Sequence, residues 1–332
     1  MKRIKGCFTS RVLKGILCLN FVLGGVVVGK AQDSSHIKSI PFGDMDNWLV
    51  RVIEESFVIG GKTKTLHEIA PADTIRGAIA YRHSSQSPWR TSNVMAHVSG
   101  ITKCSNTVFP EKRGEGQCAR LETRMENCKV FGIVNITVLA SGTIFLGEML
   151  EPIKDTKNPQ AKLNMGIPFT ERPLTMVFDY KMKTNGDPDR IKAPGFGRTT
   201  KVPGKDCAEV FIILQKRWED EKGNVHAKRI ATGVERFSET TPDWVNNHSI
   251  KLIYGDASKD SGFQPCMDLI PADNYQYCLN SKGKSVPIIE EGWGDPDDTP
   301  THLILKISSS HGEAYVGSLG NTFWVDNVRF AY

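Results

Sequence analysis

The 332-residue sequence predicts an all-β protein, a β-sandwich of jelly-roll type with long loop insertions. Three observations carry this reading. Several segments alternate apolar and polar residues with period two, the pattern of strands that bury one face. No regular succession of strand and helix-length segments points to a parallel α/β sheet. The insertions between strands are too long for a small immunoglobulin-like module.

Taken in order, residues 32–40 form a short polar leader, followed by Ile40-Pro-Phe-Gly43. Asp44 to Ser56 fits either a helix, with Trp48, Leu49, Val52 and Ile53 on one side, or a strand. Gly60-Gly61 then separates two short β-like pieces, and Ser84-Ser-Gln-Ser-Pro-Trp89-Arg-Thr-Ser-Asn93 reads as a surface loop. From Cys118 the strands become regular: 119–126, 133–140 and 143–147. In 174–182, Leu174, Met176, Phe178, Tyr180 and Met182 share one face and Thr175, Val177, Asp179 and Lys181 the other. Cys207 to Trp218 is apolar on both faces, and 226–237 and 249–254 add two more strands. After a loop-rich stretch, Leu303, Leu305 and Ile307 alternate with His302, Ile304 and Lys306, and Thr322 to Tyr332 closes the sheet. The simplest organisation is one domain over 41–332, with 41–117 as an optional annex.

Residues 1–31 read as a signal peptide. Lys2, Arg3, Lys5, Arg11 and Lys14 precede an apolar core from Gly15 to Gly29, and Gly29 and Ala31 form a small-residue cleavage pair. The apolar run is shorter than the roughly 18–20 residues of a membrane span. Cys18 follows Leu17, not a small residue, so no lipoprotein site is expected there. The expected location is exported: periplasmic, extracellular or outer-membrane associated. Six of the 42 basic residues and none of the 37 acidic ones fall in 1–31, so the rest carries 36 against 37, or −1. That balance gives no basic footprint for nucleic acid. Cys104, Cys118, Cys128, Cys207, Cys266 and Cys278 remain after cleavage, and Cys266–Cys278 is the disulfide candidate, closing a turn-rich loop. Zinc-ribbon spacing is absent.

The ordered set Cys118-Ala-Arg-Leu-Glu-Thr123, Gly142-Thr-Ile-Phe-Leu-Gly147, Gly166-Ile-Pro-Phe-Thr-Glu-Arg-Pro173, Phe178-Asp-Tyr-Lys181, Ser308-Ser-Ser-His-Gly312 and Gly320-Asn-Thr-Phe-Trp-Val-Asp-Asn-Val328 resembles the putative carbohydrate metabolism domain (PCMD) family of exported Bacteroidota proteins. The resemblance spans nearly the whole chain after residue 31. It implies a sandwich of carbohydrate-binding type and an oligo- or polysaccharide partner. It implies no particular reaction and no catalytic set.

Sugar sites place an aromatic ring against the pyranose C–H face and planar polar groups around it. Trp89 with Arg90 and Asn93, Trp244, and Trp293 are the loop candidates; Trp48, Trp218 and Trp324 read as architectural. Strand phasing offers a second set. If the apolar faces pack inward, one outer face collects Asp179, Lys181, Glu209, Gln215, Arg217, Lys251, His302 and Lys306. Within it Asp179 and Glu209 are the carboxylates to test for glycoside hydrolysis, which needs two of them roughly 5–9.5 Å apart. A solvated face laced with ion pairs is the plainer reading. No cofactor is expected. A structural calcium has weak candidates in Asp326 and Asp295. The functional expectation is an exported glycan-binding protein, with a glycoside hydrolase as the alternative and an adhesive surface protein as the third reading.

Overall fold

The computed structural model describes residues 36–82, 86–130, 134–155, 157–195 and 197–332. The expected signal segment, 1–31, lies outside them. The all-β class holds: helical turns among the described residues are short 3-10 pieces such as Phe57–Ile59 and Pro159–Lys162. The ambiguous segment after Asp44 resolves as the strand Trp48–Glu54, paired antiparallel with Thr63–Ile69.

Two layers dominate. The first is a six-stranded sheet in the order Val245–Lys251, Thr175–Lys183, Thr322–Ala331, Gly116–Glu122, Val108–Arg113, with Ile37–Ser39 also paired to Thr322–Ala331. The polar leader thus enters the fold as a strand. The second layer closes on itself. Its ring runs through His302–Ser308, Ala208–Glu219, Val225–Phe237, Ser285–Trp293, Tyr277–Leu279, Leu163–Met165 and Thr143–Met149, which pairs back to His302–Ser308. This barrel-like closure of seven strands is a feature the jelly-roll expectation, with its open sheets, did not contain.

Alternation explains the packing. Val210, Ile212 and Leu214, together with Leu303, Leu305 and Ile307, face the six-stranded sheet and meet Met176, Phe178, Phe323 and Val325 in the main core. Phe211, Ile213, Ile304 and Val234 point the other way and fill the ring with Phe145, Met165, Val286 and Ile288. The part of the outward-read face carried by Ala208–Glu219 and His302–Ser308 is therefore the lumen of a closed ring, while Asp179, Lys181 and Lys251 lie on the six-stranded sheet. Trp48, Ile69, Trp89 and Val108 join the main core, so the 41–117 segment shares its hydrophobic interior, and residues 36–332 form one compact unit.

β-Bulges set which polar residues leave the core. In the C-terminal strand Phe323 and Val325 are buried, then Val328 and Phe330. The switch of parity at Asp326–Asn327, with Asn327 in the left-handed region (φ 54°), takes both residues off the core side. A second bulge, at Ile230 opposite Leu214/Gln215, puts Ile230 and Ala231 both in the main core and turns Arg229 to the ring side, where Gln215 already points by simple alternation with Phe211 and Ile213.

Candidate functional site

The loop candidates around Trp89 are structural. Trp89–Thr91 is a strand paired with Thr143–Met149, not a surface loop. Trp89, Arg90 and Asn93 are buried. The Trp89 indole donates to Pro41 O (3.0 Å), and Asn93 bridges His67 O, Val108 O and the Thr107 and Val108 N–H groups. The expectation of ligand contact at Trp89 and Asn93 is corrected accordingly: their polar atoms are spent on the backbone.

Gln215, Arg217 and Glu209 sit in the ring. Gln215 donates to Glu290 Oε1 (2.7 Å) and accepts from Arg217 Nε (2.8 Å). Glu290 also holds Arg229, whose guanidinium donates to the Met267 and Asp268 carbonyls and lies 5.4 Å from the Trp293 ring centroid. Burial, with the Arg217 charge nearby, pushes His302 down to about 4, so its imidazole is neutral near pH 7. At the other end of the ring, Glu209 contacts Lys306 (3.1 Å) and Arg236 (2.9 Å). Burial pushes the Glu209 carboxyl up, but the two cations outweigh it and leave it below the ordinary range.

Asp179 lies elsewhere. It points away from the core on the far side of the six-stranded sheet, whereas Glu209 points into the ring. Two packed sheets are by themselves about 10 Å apart, so these carboxylates do not flank one glycosidic bond. Asp179 instead shares the Arg113 guanidinium with Asp326, at 2.9 and 2.6 Å. Asn247 N–H and the Asn327 amide also donate to Asp179, and Arg113 lies over the Trp244 ring at 3.9 Å. Burial pushes Asp179 up, yet these donors leave it below its ordinary value; burial leaves Asp326 raised, only partly offset by Arg113. The calcium candidates are thus otherwise engaged. Asp326 already faces a cation, and Asp295 accepts Asp297 N–H in its own turn (2.9 Å). Among the described residues no group of three or more acidic, His or Cys side chains is arranged to hold a metal. Cys266 and Cys278 are free thiols, as are the other four cysteines among the described residues, which corrects the disulfide expectation.

An open cleft of about 630 Å³ lies at the rim where the two layers part. Its walls include Lys38, Gln86, Glu148, Phe169, Glu171 and Tyr332. Two tight approaches build it. A Cβ at Gly147 would collide with the Asn164 carbonyl, and one at Gly166 with the Arg217 guanidinium. Glu148 continues the outward row of Ile144 and Leu146 past the end of the core. Glu171 follows the Ile167–Pro168 strand, where its carboxylate accepts from Lys38 Nζ and the Tyr332 hydroxyl.

These two carboxylates are tuned in opposite directions. Burial pushes Glu148 up, with Arg90 opposing, while the Tyr332 and Lys38 hydrogen bonds hold Glu171 down. Asn164, cross-strand from Glu148, is buried with neither amide atom paired; Arg90 Nη2 and the Tyr81 hydroxyl are also buried without a hydrogen-bond partner among the described residues. The Arg90 and Arg51 guanidinium groups lie over Tyr81, at 5.7 and 5.4 Å. Arg90 thus stands beneath the cleft rather than in it. Sequence reasoning did not single out Glu148 or Glu171, although both adjoin or lie within the Gly142–Gly147 and Gly166–Pro173 motifs.

Two solved structures, each described as a putative glycoside hydrolase, are similar. The one from Bacteroides vulgatus is 14% identical with a TM-score of 0.42, covering 89% of this chain and 94% of its own. The one from Bacteroides thetaiotaomicron is 16% identical with a TM-score of 0.42, covering 82% and 76%. No curated protein matches. Among the described residues no helix is long and apolar enough to cross a membrane. The profile of the putative carbohydrate metabolism domain matches residues 69–263, more than half of the sequence, and the chain belongs to that PCMD family.

Proposed function

We propose that this is a carbohydrate-binding protein that takes an oligosaccharide into the cleft between Glu148 and Glu171. One observation carries the reading. A cleft of about 630 Å³ sets the Phe169 and Tyr332 rings among Lys38, Gln86 and two carboxylates, the mixture of apolar faces and convergent polar groups that sugar rings require. The unpaired buried atoms near Glu148 add support, because a polar group left unsatisfied in the interior costs roughly 1–3 kcal/mol and such sites are kept where function uses them. Family membership supports a saccharide as the ligand class.

The opposed tuning of the glutamates favours a second reading, glycoside hydrolysis. Glu148, held protonated more readily, would give its proton to the glycosidic oxygen as the C–O bond breaks. Glu171, held ionised, would take a proton from the attacking water or attack the anomeric carbon itself. A glycan array with residues 32–332, followed by product analysis on each hit, separates the two. Binding without new reducing ends supports the first reading. Turnover that falls about 10²–10⁴-fold in Glu148→Gln, with binding retained, supports the second. No hit on the array overturns both. The basic and apolar start of the sequence supports export, which N-terminal sequencing of the cell-envelope or medium fraction would test.

A further inference from the structure

Away from the cleft, the hairpin Ala208–Glu219/Val225–Phe237 ends in an unusual surface group. Trp218 is 41% exposed, the greatest exposure of any tryptophan among the described residues. Its ring stacks on His226, with centroids 5.7 Å apart and planes within 15°. At that separation the near-parallel rings are offset, so the imidazole backs part of one indole face.

His226 is itself flanked by two carboxylates. Its Nε2 lies 3.4 Å from Asp220 Oδ2 and its Nδ1 2.7 Å from Glu291 Oε1. Asp220 in turn accepts from the Asn224 side chain and backbone and from Lys222 N–H, which hold its carboxyl at about 2 and keep it ionised. The indole thus has a stacked partner that is hydrogen-bonded to Asp220 at one nitrogen and lies beside the Glu291 carboxylate at the other. A buried anchor would have hidden this ring, and a merely solvated one would have no such backing. An apolar plane edged by hydroxyl acceptors matches a pyranose ring, whose C–H face is apolar and whose rim donates hydrogen bonds.

We propose that Trp218, backed by His226 and edged by Asp220 and Glu291, is a second saccharide platform that engages a polysaccharide beyond the residues held in the cleft. The proposal rests on the carbohydrate reading of the cleft. It assigns Trp218 to polymer recognition and the cleft to the residues bound at Glu148 and Glu171.

Affinity electrophoresis of residues 32–332 in gels containing xylan, galactomannan, β-glucan, amylopectin or pectin tests it. Trp218→Ala, Trp218→Phe and a cleft variant, Glu171→Ala, run beside the wild type. The expected result is retardation of the wild type by at least one polymer, about tenfold weaker binding for Trp218→Ala, and most of the affinity kept by Trp218→Phe. Unchanged melting of Trp218→Ala shows that the loss is local, since the ring makes little core contact. If Trp218→Ala is retarded like the wild type while Glu171→Ala is not, the platform is overturned and the cleft stands. The converse pattern overturns the cleft and supports the platform. A wild type unretarded in every gel overturns both.

Discussion

Two regions of this molecule bring a pair of carboxylates together, and they do so in opposite ways. On the outer sheet, Asp179 and Asp326 are cross-strand neighbours clamped by one guanidinium, with Asn247 and Asn327 completing the shell. At the layer rim, Glu148 and Glu171 belong to separate segments and line an opening. In the first, the cation is central and the acceptors are filled from within. In the second, Lys38 and Tyr332 hold Glu171, and Asn164, cross-strand from Glu148, is buried with both amide atoms unpaired. Carboxylates that answer one another stabilise a fold. Carboxylates that face a space with different proton affinities are equipped to meet a ligand.

The sharpest way to break this contrast is Arg113→Ala. Removing the shared cation from two buried acids should cost about 3–5 kcal/mol in urea denaturation. Acid unfolding should also move to higher pH. Asp179 is held below its ordinary value, so its contribution is present above the normal carboxylate range and lost as pH falls through the folded pKa. Without Arg113 that loss begins at higher pH. A variant as stable as the wild type would show the cluster to be idle, and the contrast would fail.

Glu171→Ala should do the reverse, weakening saccharide binding about tenfold by calorimetry while changing stability by less than about 1 kcal/mol. Tyr332→Phe keeps the ring and removes one donor, so affinity should fall about fivefold, the worth of about 1 kcal/mol. The smallest effect concerns Glu148→Gln. A carboxyl raised by burial binds its proton more tightly when folded, so its penalty appears as pH rises through the ordinary range toward the folded pKa. The variant should melt at or slightly above the wild type at pH 7 and equal it below about pH 4. A variant that melts lower at pH 7 would mean that the charge is welcomed there, and the asymmetry of the cleft would be lost.

The strands were legible where alternation was strict. Phe178 and Leu305 face the core as their spacing predicts. What the alternation does not encode is whether the opposite face meets water or another wall. Ring closure depends on the parallel pairing of Val225–Arg229 with Ile288–Trp293, some sixty residues on, and no local pattern announces it. For that reason Glu209, Gln215 and Lys306 read as a solvated face while they line a lumen. Trp89 was misread because the Ser-Gln-Ser-Pro composition before it signals a turn, while its burial comes from the strand at Leu146. The cleft glutamates escaped notice because neither breaks a hydrophobic pattern. The glycines beside them, Gly147 and Gly166, were the usable signal: both occupy places where a side chain would collide.

The pairing of Ile37–Ser39 with Arg329–Ala331 has a consequence for how the cleft comes into being. Lys38 and Tyr332 both hold Glu171, yet they are separated by almost the whole sequence. The binding surface therefore cannot be assembled from contacts that are local in the sequence. It is completed by the long-range contact that orders last in a topology of this kind. Saccharide binding would therefore report that the strands Ile37–Ser39 and Thr322–Ala331 have found each other.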